Sequence, residues 1–128
     1  MENIVENNKL FAEFLDWEFD DLSETFETPF LKLVDSYAFG DEQYSCKLQD
    51  FELEFHSDWN WLMRVVEKIE SLEHCQIDIS LNWCRIGYKG TLFNYDSRDY
   101  FKEITRIEAV YTACVEFIEW YNEQKQLS

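Results

Sequence analysis

The chain switches between two hydrophobic periods, and the switch points divide it into elements. From about Val5 to Leu15, the residues Val5, Leu10, Phe11, Phe14 and Leu15 recur at helical spacings with Asn7, Asn8, Lys9 and Glu13 between them, which predicts a short amphipathic helix. From Trp17 to Phe55 the pattern shortens to runs that read as strands: Trp17 to Phe19, Phe30 to Val34, and Phe51 to Phe55. In the last run Phe51, Leu53 and Phe55 alternate with Glu52 and Glu54, so a half-buried strand with an acidic outer face is expected. Ser57 or Asp58 can then cap a helix running to about Leu72, with Trp59, Leu62, Met63, Val66 and Ile69 inward. Cys75, Ile77, Ile79 and Leu81 alternate with polar residues as a further strand. Cys84 to Ile86 and Thr91 to Phe93 follow, joined by a turn at Gly87 to Gly90 whose glycines can take positive φ. Ile104, Ile107, Val110, Tyr111, Cys114, Phe117, Ile118 and Tyr121 mark a final helix over about Asp99 to Glu123. Strands apolar on one face, interleaved with amphipathic helices, predict an α+β layered sandwich: an antiparallel sheet of five to six short strands with three helices packed on it.

Composition narrows the class. The chain has 128 residues, of which 46% are hydrophobic and 18% aromatic, so it can bury a core where an acidic disordered tail could not. One domain over 1–128 fits that length, and no linker-like or repeated segment divides it. No stretch approaches a membrane span. The start, Met1 to Asn8, is acidic where a secretory signal would be basic and then apolar, so a cytoplasmic location is expected. Cys46, Cys75, Cys84 and Cys114 form no C-x-x-C pair and read as buried reduced thiols.

Charge changes the picture more than composition does. The 27 Asp and Glu against 11 Lys and Arg give a net charge of −16, which disfavours direct contact with nucleic acid or an anionic membrane. The charge is also lopsided. Residues 1–58 hold 16 acids and three lysines, net −13, and residues 59–128 hold 11 acids and eight bases, net −3. At one charge per roughly 1.7 Å of duplex, −16 equals about 27 Å of DNA, but mimicry of that density requires the acids to cluster. Asp16, Glu18, Asp20, Asp21, Glu24 and Glu27 form one candidate group, and Asp35, Asp41, Glu42, Asp50, Glu52 and Glu54 the other.

Motifs for chemistry are sparse. The sequence contains no glycine-rich phosphate loop, no G-x-S-x-G elbow and no H-E-x-x-H, so no cofactor and no enzymatic activity are expected. Glu52, Glu54 and His56 would share a face if their segment were a strand, which could seat a divalent cation or a general base, but one strand offers a row without enclosure. Trp59 and Trp61 are a possible stacking pair, with Trp61 the one outside the inward stripe.

Three blocks carry a resemblance. Asn8 to Phe14, Phe55 to Met63 continuing through Val65 to Glu70, and Ile107 to Tyr111 with Val115 to Asn122 look like segments of small proteins carried by bacterial phages and prophages. They cover three helices, under half of the chain, and leave out the acidic stretch 18–50. The resemblance implies a setting and a scaffold rather than a reaction: the bacterial host cytosol, and a class of small acidic proteins that disable host defence. Anti-CRISPR inhibitors belong to that class, and several kinds of them occupy basic guide- or target-binding channels. The expected partner is accordingly a bacterial nucleic-acid-handling protein such as an RNA-guided nuclease. The twelve acids above would face it, with Tyr37, Phe39 and Tyr44 as aromatic anchors. The alternative is a generic phage accessory domain working through protein contacts, its charge serving solubility. A weaker alternative is a hydrolase using Glu52, Glu54 and His56.

Overall fold

A computed structural model describes residues 3–33, 43–89, 92–96 and 105–127, with the backbone alone described at 28–33, 43–46 and 127. The chain divides into two compact units, Met1–Leu53 and Glu54–Ser128. Among the described residues they hold three helices and two antiparallel sheets of three strands each, an α+β arrangement. The single sheet of five to six strands expected from the sequence is therefore two sheets among the described residues. Hydrophobic alternation assigns a strand a buried face, but it does not say which strands share a ladder.

In the first unit α1 spans Ile4–Phe14 and buries Asn8, Phe11, Ala12 and Phe14. It is stopped by a pair of reversed bonds: Trp17 N–H reaches Ala12 C=O at 3.0 Å and Asp16 N–H reaches Glu13 C=O at 3.0 Å, with Asp16 left-handed at φ 60. That geometry satisfies the terminal carbonyls of the helix and turns the chain sharply. β1 (Phe19–Asp20), β2 (Thr25–Leu33) and β3 (Gln43–Gln49) follow in spatial order β1-β2-β3. The β2–β3 register shifts between Glu27 and Leu31. Pro29 lies inside that gap, and its missing N–H removes a ladder donor there.

The expected strand at Phe51 to Phe55 is not one. Asp50–Glu52 is a single 3-10 turn, in which Glu52 Oε1 accepts from Gln49 N–H at 3.0 Å. Leu53 and Phe55 are buried as the alternation implies, but Phe51 is 66% exposed. The third strand is instead β3, where Tyr44, Cys46 and Leu48 alternate with Ser45, Lys47 and Gln49.

In the second unit α2 spans Trp59–Glu70, and Asp58 caps it by accepting from Asn60 N–H at 2.8 Å. Its buried face is Trp61, Leu62, Val65, Val66 and Ile69, rotated from the expected stripe, so Trp59 is the exposed tryptophan and Trp61 the buried one. Trp61 meets Phe55 edge to face at 5.2 Å, which makes it core and removes it as a stacking platform. β4 (Cys75–Ile79), β5 (Cys84–Tyr88) and β6 (Phe93–Asp96) form the second sheet in order β4-β5-β6. Gly87 and Tyr88 belong to β5, so the expected turn begins later. Among the described residues of that turn, Lys89 is left-handed, at φ 47. α3 (Arg106–Leu127) lies against β5 and β6 and buries Ala109, Val110, Tyr111, Ala113, Cys114, Val115, Phe117 and Ile118. Its first turn is held by Thr105, whose Oγ1 accepts from Glu108 N–H at 3.3 Å and donates to Glu108 Oε1 at 2.9 Å. The helix expected from about Asp99 begins instead at Arg106, since Thr105 is not helical; residues 97–104 lie outside the described residues.

Candidate functional site

The sequence from Asp16 to Glu27 contains six acids and no base, and its local bonds fold it back on itself. After the α1 stop, β1 pairs antiparallel with β2 through Phe19 opposite Phe26 and Asp20 opposite Thr25. The connecting turn is made by Asp20. Its Oδ1 accepts from Leu22 N–H at 2.9 Å, and its carbonyl accepts from Glu24 N–H at 2.7 Å. Glu24 completes the reversal in the left-handed region at φ 57, and the hydroxyls of Ser23 and Thr25 lie 2.7 Å apart. Farther along, Glu27 N–H donates to Glu18 C=O at 2.8 Å. Asp16, Glu18, Asp20, Asp21, Glu24 and Glu27 are all exposed. The N–H of Leu22, then the Ser23 hydroxyl, with Lys47 adding attraction, hold the Asp20 carboxyl below its ordinary range.

The sheet register decides which charges meet. Glu27 opposes Lys47, and Thr25 opposes Gln49, on the face away from Phe26. That face forms a cleft of ≈ 220 Å³ lined by Glu18, Phe19, Asp20, Thr25, Glu27 and Lys47. A second cleft of ≈ 290 Å³ is lined by Lys9, Phe19, Glu24, Gln49, Asp50 and Phe51. Phe19 borders both. It is 45% exposed and packs against buried Phe26 with ring centroids 4.8 Å apart. Leu22, at the tip of the turn, is 98% exposed.

The first predicted acidic group is thus gathered on one hairpin, and Asp50 of the second group joins it through the cleft it shares with Glu24. Glu52 is exposed, but its carboxylate is engaged in capping Gln49. Glu54 is exposed in the other unit. Because the segment is a turn and not a strand, Glu52, Glu54 and His56 are not set in a row by strand alternation. Asp35, Tyr37, Phe39, Asp41 and Glu42 lie outside the described residues, and Tyr44 is described as β3 backbone only. Among the described residues no three His, Cys, Asp or Glu side chains converge to hold a metal ion.

Sequence reasoning missed the apolar part of the site. Alternation places Phe51 inward and Phe19 within a short strand, yet both line a cleft. The available signal was Leu22, an apolar residue within the turn-forming run Asp20-Asp21-Leu22-Ser23.

In the second unit the described cysteines, Cys75, Cys84 and Cys114, are free thiols. Burial pushes Cys75 and Cys84 up to about 11 and about 12 and holds Cys114 well above its ordinary value, so they are poor nucleophiles at neutral pH. Tyr88, Phe93, Phe117, Trp120 and Tyr121 form an aromatic cluster with centroid separations from 5.1 to 6.3 Å. It knits α3 to β5 and β6. No described helix is long and apolar enough to cross a membrane. Set against known proteins, the chain matches no family model, no curated protein and no solved structure.

Proposed function

We propose that the chain is a non-enzymatic inhibitor whose acidic hairpin docks on a Lys/Arg-lined nucleic-acid channel of a bacterial defence effector, of which an RNA-guided nuclease is the leading example, acting in the host cytosol. The supporting observation is the concentration of exposed charge on residues 16–27. Folded back on itself, this segment spans at most about 20 Å at ~3.3 Å per residue. Its six carboxylates therefore fall at roughly one per 3 Å, close to the 3.4 Å per charge of a single nucleic-acid strand. A basic channel meeting this hairpin encounters a charge density it is built to hold. Phe19, Leu22 and Phe51 beside the acids supply apolar contact, which carries binding energy where rim charges mainly raise the association rate.

The test is competition. A protein captured on the chain from bacterial lysate after nuclease treatment is identified and then titrated with its own guide or target nucleic acid in the presence of the chain. Displacement that weakens steeply as salt rises is expected. The triple variant E18K, D21K and E24K spares Asp20, which builds the turn, and Glu27, which faces Lys47. It should weaken displacement at low salt by at least about tenfold. Displacement that is indifferent to salt and to this variant would reject the proposal.

A further inference from the structure

The cleft beside α1 is lined by two phenylalanines where the neighbouring acidic cleft has one. Phe19 and Phe51, 45% and 66% exposed, line it together with Glu24 and Asp50. We propose that this cleft receives an arginine side chain from the partner's basic segment, an inference that rests on the reading of the partner surface as cationic. At ≈ 290 Å³ the cleft lies just below the roughly 300–1,000 Å³ of small-molecule sites, a size suited to one side chain. An anion would meet two carboxylates there, and a purely apolar group would strip them of water without replacing their hydrogen bonds. A guanidinium satisfies both features. Its flat, weakly hydrated faces stack on aromatic rings while its edge donors reach carboxylate oxygens, sometimes two at once. A lysine ammonium is a compact, strongly hydrated charge that leaves the ring walls less well covered.

Lys9 is the one cation lining this cleft among the described residues, and it competes for the same carboxylates. The inference therefore carries a gain-of-affinity expectation as well as losses.

The probes are acetylated, amidated hexaarginine and hexalysine peptides, equal in charge, titrated into the full chain at low salt by calorimetry. Wild type should bind hexaarginine about threefold to fivefold tighter than hexalysine, the size of a partly exposed cation–π contact. Phe51→Ala and Phe51→Leu should each erase that preference by weakening hexaarginine more than hexalysine. The exposure of Phe51 makes folding robust to both changes, which circular dichroism checks. Lys9→Ala should tighten hexaarginine more than Lys125→Ala does, although the two variants change net charge equally. Equal affinity of wild type for both peptides, or a preference that survives Phe51→Leu, would overturn the cleft assignment and leave the charge reading standing. If neither peptide binds, both the cleft assignment and the charge reading fail.

Discussion

Asn8 retains 1% of its surface exposure on α1, and its Nδ2 donates to Leu53 C=O at 2.9 Å. A carbonyl just past a 3-10 turn has no ladder partner of its own, so this bond ties the helix to the turn that presents Asp50 and Phe51. Asn8→Leu keeps the volume approximately but orphans the carbonyl. It should lower the unfolding free energy by about 1–3 kcal/mol, read from the urea midpoint at constant slope. In sequence, Asn8 counted as a polar residue between helix-stripe positions, because a donor's burial depends on an acceptor 45 residues away. Asp16 is a similar case. It was read as a charge, and it is also the left-handed residue that ends α1 and aims the acidic hairpin. Asp58 was the simpler case, since an N-cap bonds only two residues ahead and its signal is therefore local.

At the scale of elements, long periodic segments were legible and short ones were not. α1, α2 and the body of α3 fall where their spacings put them, because ten or more residues average out individual exceptions; β4 begins where alternation puts it but ends at Ile79, and Leu81, expected on its apolar face, is 75% exposed beyond it. The segment Phe51 to Phe55 shows the opposite. Its alternation correctly marked Leu53 and Phe55 as buried, but burial can be reached from a turn as well as from a strand, and the Gln49–Glu52 capping pair favoured the turn. The β4–β5 end illustrates a local rule overridden by the ladder. Gly87 is paired with Gln76 and Asn94, and the left-handed conformation passes to Lys89, whose N–H donates to His74 C=O at 2.8 Å, with His74 itself at φ 61. A side chain other than glycine in that region costs roughly 1 kcal/mol. Lys89→Gly should accordingly raise stability by up to about 1 kcal/mol in urea unfolding. A loss of stability would show that the contact of Lys89 Nζ with the Tyr88 ring, 5.4 Å from its centroid, outweighs the backbone strain.

At the scale of the whole molecule, charge and titration are distributed unequally. The first unit holds 14 acids and three lysines, net −11, and the second 13 acids and eight bases, net −5. Among the described residues the groups displaced upward lie in the second: Cys75, Cys84, Cys114 and Tyr111, all raised first by burial, and Glu119, raised by burial and then by Glu116 and Glu123. For the thiols the folded value lies above the unfolded one near 9, so the folded state binds protons that the unfolded state releases. Their contribution to stability is fully present below about pH 9 and is lost as pH rises through about 11 to 12. Urea midpoints measured by tryptophan fluorescence should thus fall as pH rises from about 9 to about 11, and Cys114→Ala should shrink that fall even as it lowers the midpoint at neutral pH. A midpoint flat across that window would mean the thiols ionise as freely folded as unfolded.

Taken by itself, the sequence determined the class, three amphipathic helices with antiparallel strands, the capping of α2 and the concentration of acids toward the front of the chain. These depend on spacings within a few residues, where side-chain direction follows directly from backbone period. The tertiary structure decided which strands share a sheet, that Trp61 rather than Trp59 is buried, and that Phe19 and Phe51 stand among the carboxylates. Each of these depends on pairings between distant segments, whose partners are fixed only when register and packing are solved together.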